Sequence, residues 1–286
     1  MEILLLNALN GLSWGMLLFL IAVGLTTIFG VLGILNFAHG SLFMLGAYLC
    51  MQSMQYFDSF WFGLAVGPPC VVLIGILVEK YLLKRIYSRE IPYQLLLTFA
   101  ILLILDDGVR MIWGSGFYIA EPPQILSGFI SLFGQSYPVY RLFLIIIGPV
   151  VGIALWSFFH FTRWGKTVRA ASFDNIMAEG VGINVPLIYT GVFALGTWLA
   201  AVGGALAAPL QSLNPSMGDK IIIQSFIVVV VGGMGSFPGA FVGALLLGML
   251  ESFGTVFAGR MQMALPFILL ALILLFKPNG LFRKGV

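Results

Sequence analysis

The chain predicts an all-α fold, a polytopic transmembrane helical bundle of eight or nine spans with broken helices. Three observations predict it. Apolar residues fill 60% of the 286 positions and charged residues only 9%, with a mean hydropathy of +1.06. A soluble domain of this length needs a far more charged surface. Apolar runs of about 18 residues or more recur along the chain, the length a helix needs to cross a hydrocarbon core. Most basic residues fall in three clusters: Lys80, Lys84, Arg85 and Arg89; Arg163, Lys166 and Arg169; and Lys277, Arg283 and Lys284. These are ten of the fourteen basic residues, so the positive-inside rule places all three clusters, and the C-terminus, in the cytoplasm. The net charge of +3 is thereby a record of topology and requires no nucleic acid.

Each element then follows in order. Met1 and Glu2 offer no basic n-region and no small-residue cleavage site follows, so the first apolar run is expected to stay as a span. Ile3–Leu35 exceeds the length of one span and continues, past the polar interruption Asn36–Gly40, into Ser41–Met51. Gln52–Ser59 is polar and external, and Phe60–Val78 returns to the first basic cluster. Leu95–Trp113 leads out to Gly114–Pro138, rich in Gly, Ser, Pro and aromatics and poor in basic residues, as suits an extracytoplasmic loop. Val139–Phe161 comes back, Leu187–Leu210 leaves, and Gln211–Lys220 is a turn-rich outer loop. Ile221–Phe257 is broken at Gly232–Gly239, giving two short spans or a re-entrant pair, and Ala264–Phe276 ends inside. The whole forms one transmembrane domain over 1–286, with a polar loop at about 162–185. Cys50 and Cys70 read as small apolar side chains, since two cysteines in apolar runs make no disulfide framework.

Within that loop Val168, Ala171, Ser172, Met177 and Ala178 recur at helical spacing, with Arg169, Asp174 and Glu179 on other faces. Gly180 and Gly182 stop the pattern and Pro186 opens the next helix. The expectation is one short amphipathic helix at the membrane surface, either presenting a face to a soluble partner or lying in the interface alone.

The two interruptions, within Gly30–Leu49 and Val231–Leu250, share a plan: an apolar half, a Gly-containing polar kink, and a second half rich in Gly and Ala. Ser236 can cap the helix that Phe237 and Pro238 begin, and Asn36, His39 and Ser41 can do similar work at the first kink. Non-helical backbone at membrane depth survives only where protein or a water-filled cavity satisfies it. Paired interruptions therefore read as a transport path or as tight interhelical turns. On the first reading the path residues are Asn36, Phe37, His39, Gly40, Ser41, Ser236, Phe237 and Gly239. Small-residue spacings at Gly63–Gly67, Gly239–Gly243 and Ala200/Gly204/Ala208 mark faces where helices approach closely.

Catalytic chemistry finds little purchase. Gly165-Lys166-Thr167 resembles the end of a phosphate-binding loop, but the required first glycine falls on His160 and no strand precedes it. His39 and His160 are the only histidines and lie too far apart for a ligand motif, so neither a metal site nor any other cofactor is expected in this chain. No acid/base pair or nucleophile constellation stands out. Asp106 and Arg110, four apart, are spaced to pair on one span, with Asp107 on an adjoining face. Those charges and Glu251 are candidates for either a functional or a structural role.

The run GLTTIFGVLGILNFAHGSLFMLGAYL, then RAASFDNIMAEGVGIN, VVVVGGMGSFPGAFVGALLLGMLE and FKPNGLF, stand in that order along the chain. Together they resemble the branched-chain amino acid ABC transporter permeases of the LivH type, over nearly the whole length. The resemblance implies a non-catalytic membrane subunit of an importer for branched-chain or hydrophobic amino acids. Its implied partners are a second related permease, two cytoplasmic ATPase subunits that bind the ATP, and an extracytoplasmic solute-binding protein, in a bacterial-type inner membrane. It also implies that Ala170–Gly182 is the coupling helix. Asp174, Ala178 and Gly182 match its motif best, with Arg169, Ala170 and Glu179 beside them. Asp106-Asp107 departs from the pattern, where an amide or apolar residue is expected. Related importers take urea or small organic acids. A different class, an autonomous secondary transporter or channel, calls for ion-coupling groups near the midplane, and no acidic cluster there supplies them.

Overall fold

A computed structural model describes residues 2–87, 89–132 and 134–282. Among these, eleven α-helices account for most of the chain. They are α1 (Glu2–Leu32), α2 (His39–Phe57), α3 (Phe60–Tyr81), α4 (Ile91–Trp113), α5 (Val139–Phe161), α6 (Arg163–Phe173), α7 (Asn175–Gly180), α8 (Val185–Ala207), α9 (Met217–Gly232), α10 (Phe237–Phe257) and α11 (Leu265–Phe276). Six helical segments, α1, Phe60–Ile86, α5, α8, α10 and Gly259–Phe276, are long and apolar enough to cross a membrane. A count of eight or nine therefore depends on α2, α4 and α9, which carry more polar groups or, for α9, only 16 residues.

The helix α1 is 31 residues long, about 46 Å at 1.5 Å per residue, against a core of about 30 Å. Leu17–Val23 within it are almost wholly buried, so α1 is the post around which the bundle is built rather than a lipid-facing span. The helix α10 packs along it antiparallel: a Cβ at Gly15 would stand 2.9 Å from the Ala244 carbonyl oxygen, and one at Gly30 would stand 3.4 Å from Gly235 Cα. The other face of α1 meets α8, where a Cβ at Gly24 would lie 2.8 Å from Gly196 O. The small-residue spacings thus do what they suggest, bringing backbone against backbone where lipid offers no hydrophobic drive. Gly63 and Gly67 both lie on Cys50 of α2.

Three details differ from the expectation. The polar stretch after Met51 is not a loop: α2 runs on to Phe57, and Gln52 stays helical while its Oε1 accepts a 2.8 Å bond from Trp113 Nε1. The loop at 114–138 contains a small antiparallel hairpin, β1 (Phe129–Leu132) with β2 (Gln135–Pro138). The loop after α5 forms two helices, not one. Asp174 leaves helical geometry (φ −149°, ψ 103°) and its carboxylate accepts from Met177 N at 2.9 Å, capping a new helix, α7.

Charge and packing agree about the ends of the bundle. Val31 and Leu32 of α1 pack in one cluster with Val168, Ala171, Ala178, Val185 and Ile188. Tyr87, in the linker after α3, packs edge-on to Tyr189 of α8 at 5.6 Å. Leu281 N donates to Val231 O at 2.8 Å, next to the Gly233–Ser236 turn that touches Gly30. The first two basic clusters and Lys277 therefore share the end that carries α6 and α7. Arg283 and Lys284 lie outside the described residues.

Candidate functional site

At the first interruption α1 stops at Leu32, Gly33 turns the chain with φ 71°, and helix resumes at His39. The intervening backbone is only partly tied. Leu35 O accepts from Thr98 Oγ1 of α4 at 3.3 Å, and Asn36 O accepts from His39 N at 3.3 Å. None of Asn36, His39 and Ser41 caps α2; the cap position falls on Ala38, in helical geometry, which lacks a hydroxyl or amide to offer. Asn36 instead is fully buried with neither amide atom hydrogen-bonded. His39 is also fully buried: Nε2 lies 3.1 Å from Ile21 O, which requires the proton on Nε2 and leaves Nδ1 an unpartnered acceptor. Buried polar atoms are ordinarily paired. The first interruption thus concentrates one donor group and two acceptors that no described residue satisfies.

Ser41 lies one turn further on. Its hydroxyl donates to Asp106 Oδ1 at 2.7 Å, tying α2 to α4. The expected Asp106–Arg110 pair does not form. Arg110 pairs with Asp107 at 3.1 Å, on the exposed face, because i,i+3 brings those two together while Asp106 turns inward to Ser41. Glu251 has a structural anchorage of its own, accepting 2.7 Å from Trp14 Nε1 and also from Gln224 Nε2, and so joins α1, α9 and α10.

The second interruption is built differently. Gly233 and Gly235 take φ 106° and 81°, and Ser236 Oγ accepts from Gly239 N at 3.1 Å, capping α10 with Pro238 in its first turn as expected. The carbonyls freed at the end of α9 are taken up by the chain's own tail: Leu281 N reaches Val231 O, and Phe282 N reaches Gly232 O at 3.0 Å. Gly280, at φ 78°, allows this approach, since a Cβ there would sit 2.5 Å from Gly233 Cα. The Pro-Asn-Gly-Leu-Phe tail is thus a cap for α9, a role the sequence pattern did not signal. The two interruptions are neighbours, through Gly30 and Gly235, but not equivalents: the second is a closed turn and the first is not.

The remaining path candidates divide accordingly. Phe37 is half-buried against Phe226 of α9, ring centres 4.9 Å apart, and edge-on to Phe99 of α4 at 6.4 Å. Phe237 stands edge-on to Phe19 at 5.8 Å and lines a wholly apolar groove of about 360 Å³ with Pro149, Ile153, Trp156 and Phe241. Gly40 and Gly239 are contact glycines: a Cβ at Gly40 would run into Gly218 O, and one at Gly239 into Gly232 O. Valine at either place would force helices apart, so such variants report on packing before they report on a path.

The loop end offers a second surface. Thr162, Asp174 and Asn184 cap α6, α7 and α8 in turn, and Gly182 (φ 87°) lets the chain double back so that Ile183 N bonds Ala178 O at 3.0 Å. Ala178 is therefore buried with Val168 and Ala171, holding the loop onto the bundle; it does not face outward as a docking residue must. Arg169 is occupied with the Phe159 carbonyl at the end of α5. Ala170, Asp174, Glu179 and Gly182 are exposed. So are four large apolar side chains: Phe173 (83%), Ile176 (80%) and Val181 (71%), which the sequence pattern left unassigned, and Met177 (65%), which it had grouped with Val168 and Ala171. The signal of Phe173, Ile176 and Val181 was present as apolar residues out of phase with the Val168–Ala171–Ala178 face. A single continuous helix hid it, because the break at Asp174 resets the phase.

The comparisons with known proteins bear on both surfaces. Residues 7–275 match the family model described as branched-chain amino acid transport system / permease component. The chain is 29% identical to the high-affinity branched-chain amino acid transport system permease protein LivH of Escherichia coli, over 96% of this chain and 94% of that protein. It is 29% identical to BraD of Pseudomonas aeruginosa, over the same shares, and 31% identical to the probable LivH of Methanocaldococcus jannaschii, over 84% of this chain and 78% of that one. No solved structure matches. With six spanning-length helices and this match across nearly its whole length, the chain belongs to the branched-chain amino acid transport system permease family, as a multi-pass membrane permease.

Proposed function

We propose that the chain is the transmembrane permease subunit of an ATP-driven importer for branched-chain and other hydrophobic amino acids. It forms part of the translocation path and couples to cytoplasmic ATPase subunits, with no catalytic residues and no cofactor of its own. The observation that carries this reading is the set of exposed apolar side chains Phe173, Ile176, Met177 and Val181, projecting from a capped loop at the basic end of the bundle. An exposed apolar patch marks a contact with another protein or with the membrane surface. That end is cytoplasmic by the distribution of Lys and Arg, which puts the patch where ATPase subunits are found. A second, related permease and an extracytoplasmic solute-binding protein complete the assembly in the inner membrane.

The path is assigned to the first interruption. Its unpartnered amide and imidazole acceptors offer hydrogen bonds to an ammonium group, the Asn36 Nδ2 group offers them to a carboxylate, and Phe37 supplies apolar wall. A permease served by a binding protein requires only weak affinity, so these contacts guide rather than hold. Asn36→Ala is expected to lower leucine uptake into vesicles several-fold while the ATPase still copurifies. Unchanged uptake would move the path elsewhere, and uptake of ribose or urea in place of leucine would overturn the substrate assignment.

Orientation has its own check. In a Cys70→Ser background, needed because Cys70 is exposed, Ser172→Cys should react with impermeant thiol reagents from the cytoplasmic face and Ser127→Cys from the opposite one. Labelling of both from one side would refute the arrangement.

A further inference from the structure

Glu79 is the one fully buried carboxylate-bearing residue among those described, with no accessible surface at all, near the C-terminal end of α3. Its neighbours in sequence include Lys80, Lys84 and Arg85, yet the only salt bridge among the described residues is Arg110–Asp107. Both Glu79 oxygens are instead held by hydroxyls. Oε1 accepts from Tyr87 at 2.5 Å, and Oε2 accepts from Thr190 of α8 at 2.7 Å. Burial, together with the adjoining Glu79 carboxylate, pushes the Tyr87 phenol well above its ordinary value, so Tyr87 stays a donor. Replacing a buried, hydrogen-bonded polar pair by apolar groups of the same shape is nearly neutral or stabilising. An apolar residue would join α3 to α8 at no greater cost, so packing alone does not account for a carboxylate here.

What Glu79 joins is informative. Tyr87 belongs to the linker between α3 and α4. Gln94 Nε2, in the first turn of α4, bonds Arg89 O at 3.0 Å and reaches the Ile86 and Tyr87 carbonyls at 3.5 Å, so the linker is fastened on both sides. Thr190 lies two residues past Ile188, which packs with Val168, Ala171 and Ala178 of the loop. The helix α8 continues inward to Gly196, against Gly24 and near the His39 ring, and to Gly204, against Phe43 of α2. One helix therefore touches the loop at its start and the first interruption at its middle, and Glu79 fixes it to α3 between the two.

We propose that Glu79 is a positioning residue that transmits movement of the α6–α7 loop to α8, and so to the path, by clamping Thr190 and Tyr87 to α3. The inference rests on the ATP-driven reading above. A carboxylate suits the task because it accepts from two hydroxyls at once. Glutamine is too mild a change, because Thr190 Oγ1 can turn its proton to Pro186 O, 3.1 Å away, and accept from the amide instead; Glu79→Leu keeps most of the volume and forfeits both bonds. Thr190→Val removes the α8 bond from the other side, and Thr190→Ser retains it.

The experiment measures substrate imported per ATP hydrolysed by the reconstituted full complex, beside the thermal midpoint of each purified permease complex. Glu79→Leu and Thr190→Val should each lower the transport-to-hydrolysis ratio about fivefold or more, the low end of ordinary coupling energies. Their double variant should be no worse than Glu79→Leu alone, since that variant already lacks the Thr190 bond. Thr190→Ser should restore the wild-type ratio. A merely structural role would lower the thermal midpoint and the yield with the ratio unchanged, and that result would overturn the proposal. So would wild-type coupling in both single variants, or full additivity in the double. A wild-type complex that imports without hydrolysing ATP would instead overturn the ATP-driven reading, and this inference with it.

Discussion

Ile176→Asp, and more strongly Ile176→Asp with Phe173→Asp, should release the ATPase from the permease while leaving the permease itself folded. Both side chains are over three-quarters exposed, so a carboxylate at either place costs the isolated chain almost nothing. In a docked complex the same carboxylate is desolvated without a partner. Truncating a central apolar anchor costs about 2 kcal/mol or more, and an unpaired buried charge adds to that. The pair should therefore weaken retention on the order of 100-fold or more. Tagged permease assayed for bound ATPase at fixed salt reads the loss, and an unchanged gel-filtration profile confirms the fold. Full retention in the double variant would place the ATPase contact elsewhere. The contrast with Ala178→Glu is instructive. Ala178 packs among Val168, Ala171 and Val185, so that variant should lower folded yield first and ATPase binding only as a consequence.

That contrast also shows what was legible in the sequence. Long apolar runs, basic clusters and close-packing glycines were readable because each follows from local composition and the solvent the chain must cross. The Ser236 cap was readable for the same reason: cap, proline and glycine lie within four residues. Asp174 was not, because Asp suits a helix face as well as an N-cap and only backbone geometry tells them apart. Asp106 found Ser41 and not Arg110 because its partner lies on another helix, 65 positions away, where i,i+4 spacing is silent. The two interruptions looked alike in sequence, and the distinction between them came from the chain's last described residues folding back on Val231 and Gly232. The clamp at Glu79 joins residues 111 positions apart and had no local signature.

The other large effect is expected at Gly204. A Cβ on Gly204 of α8 would run into the Phe43 carbonyl oxygen and lie 3.0 Å from Ala47 N. Gly46 answers from α2, where a Cβ would be 2.5 Å from Ala201 Cα. Every obstructing atom there is backbone, so no side chain can rotate aside. Valine at Gly204 requires α2 and α8 to part by roughly 1.5–2 Å to restore ordinary contact distances, and α8 also packs on α1 and α3 through Gly196 and Thr197. Overpacking a core costs about 1–3 kcal/mol even where side chains can adjust. Here the seam itself opens, so Gly204→Val should elute as aggregate after extraction. Gly108→Ala is the matched control. It also adds a Cβ inside a helix, α4, but nothing lies within 4 Å of that position, and the gain in helix propensity of about 1 kcal/mol should hold or raise the thermal midpoint. Equal stability of the two variants would mean that the α2–α8 seam is looser than its glycines require. Loss in Gly204→Val alone would locate the bundle's least compressible contact beside the helix that links the loop to the first interruption.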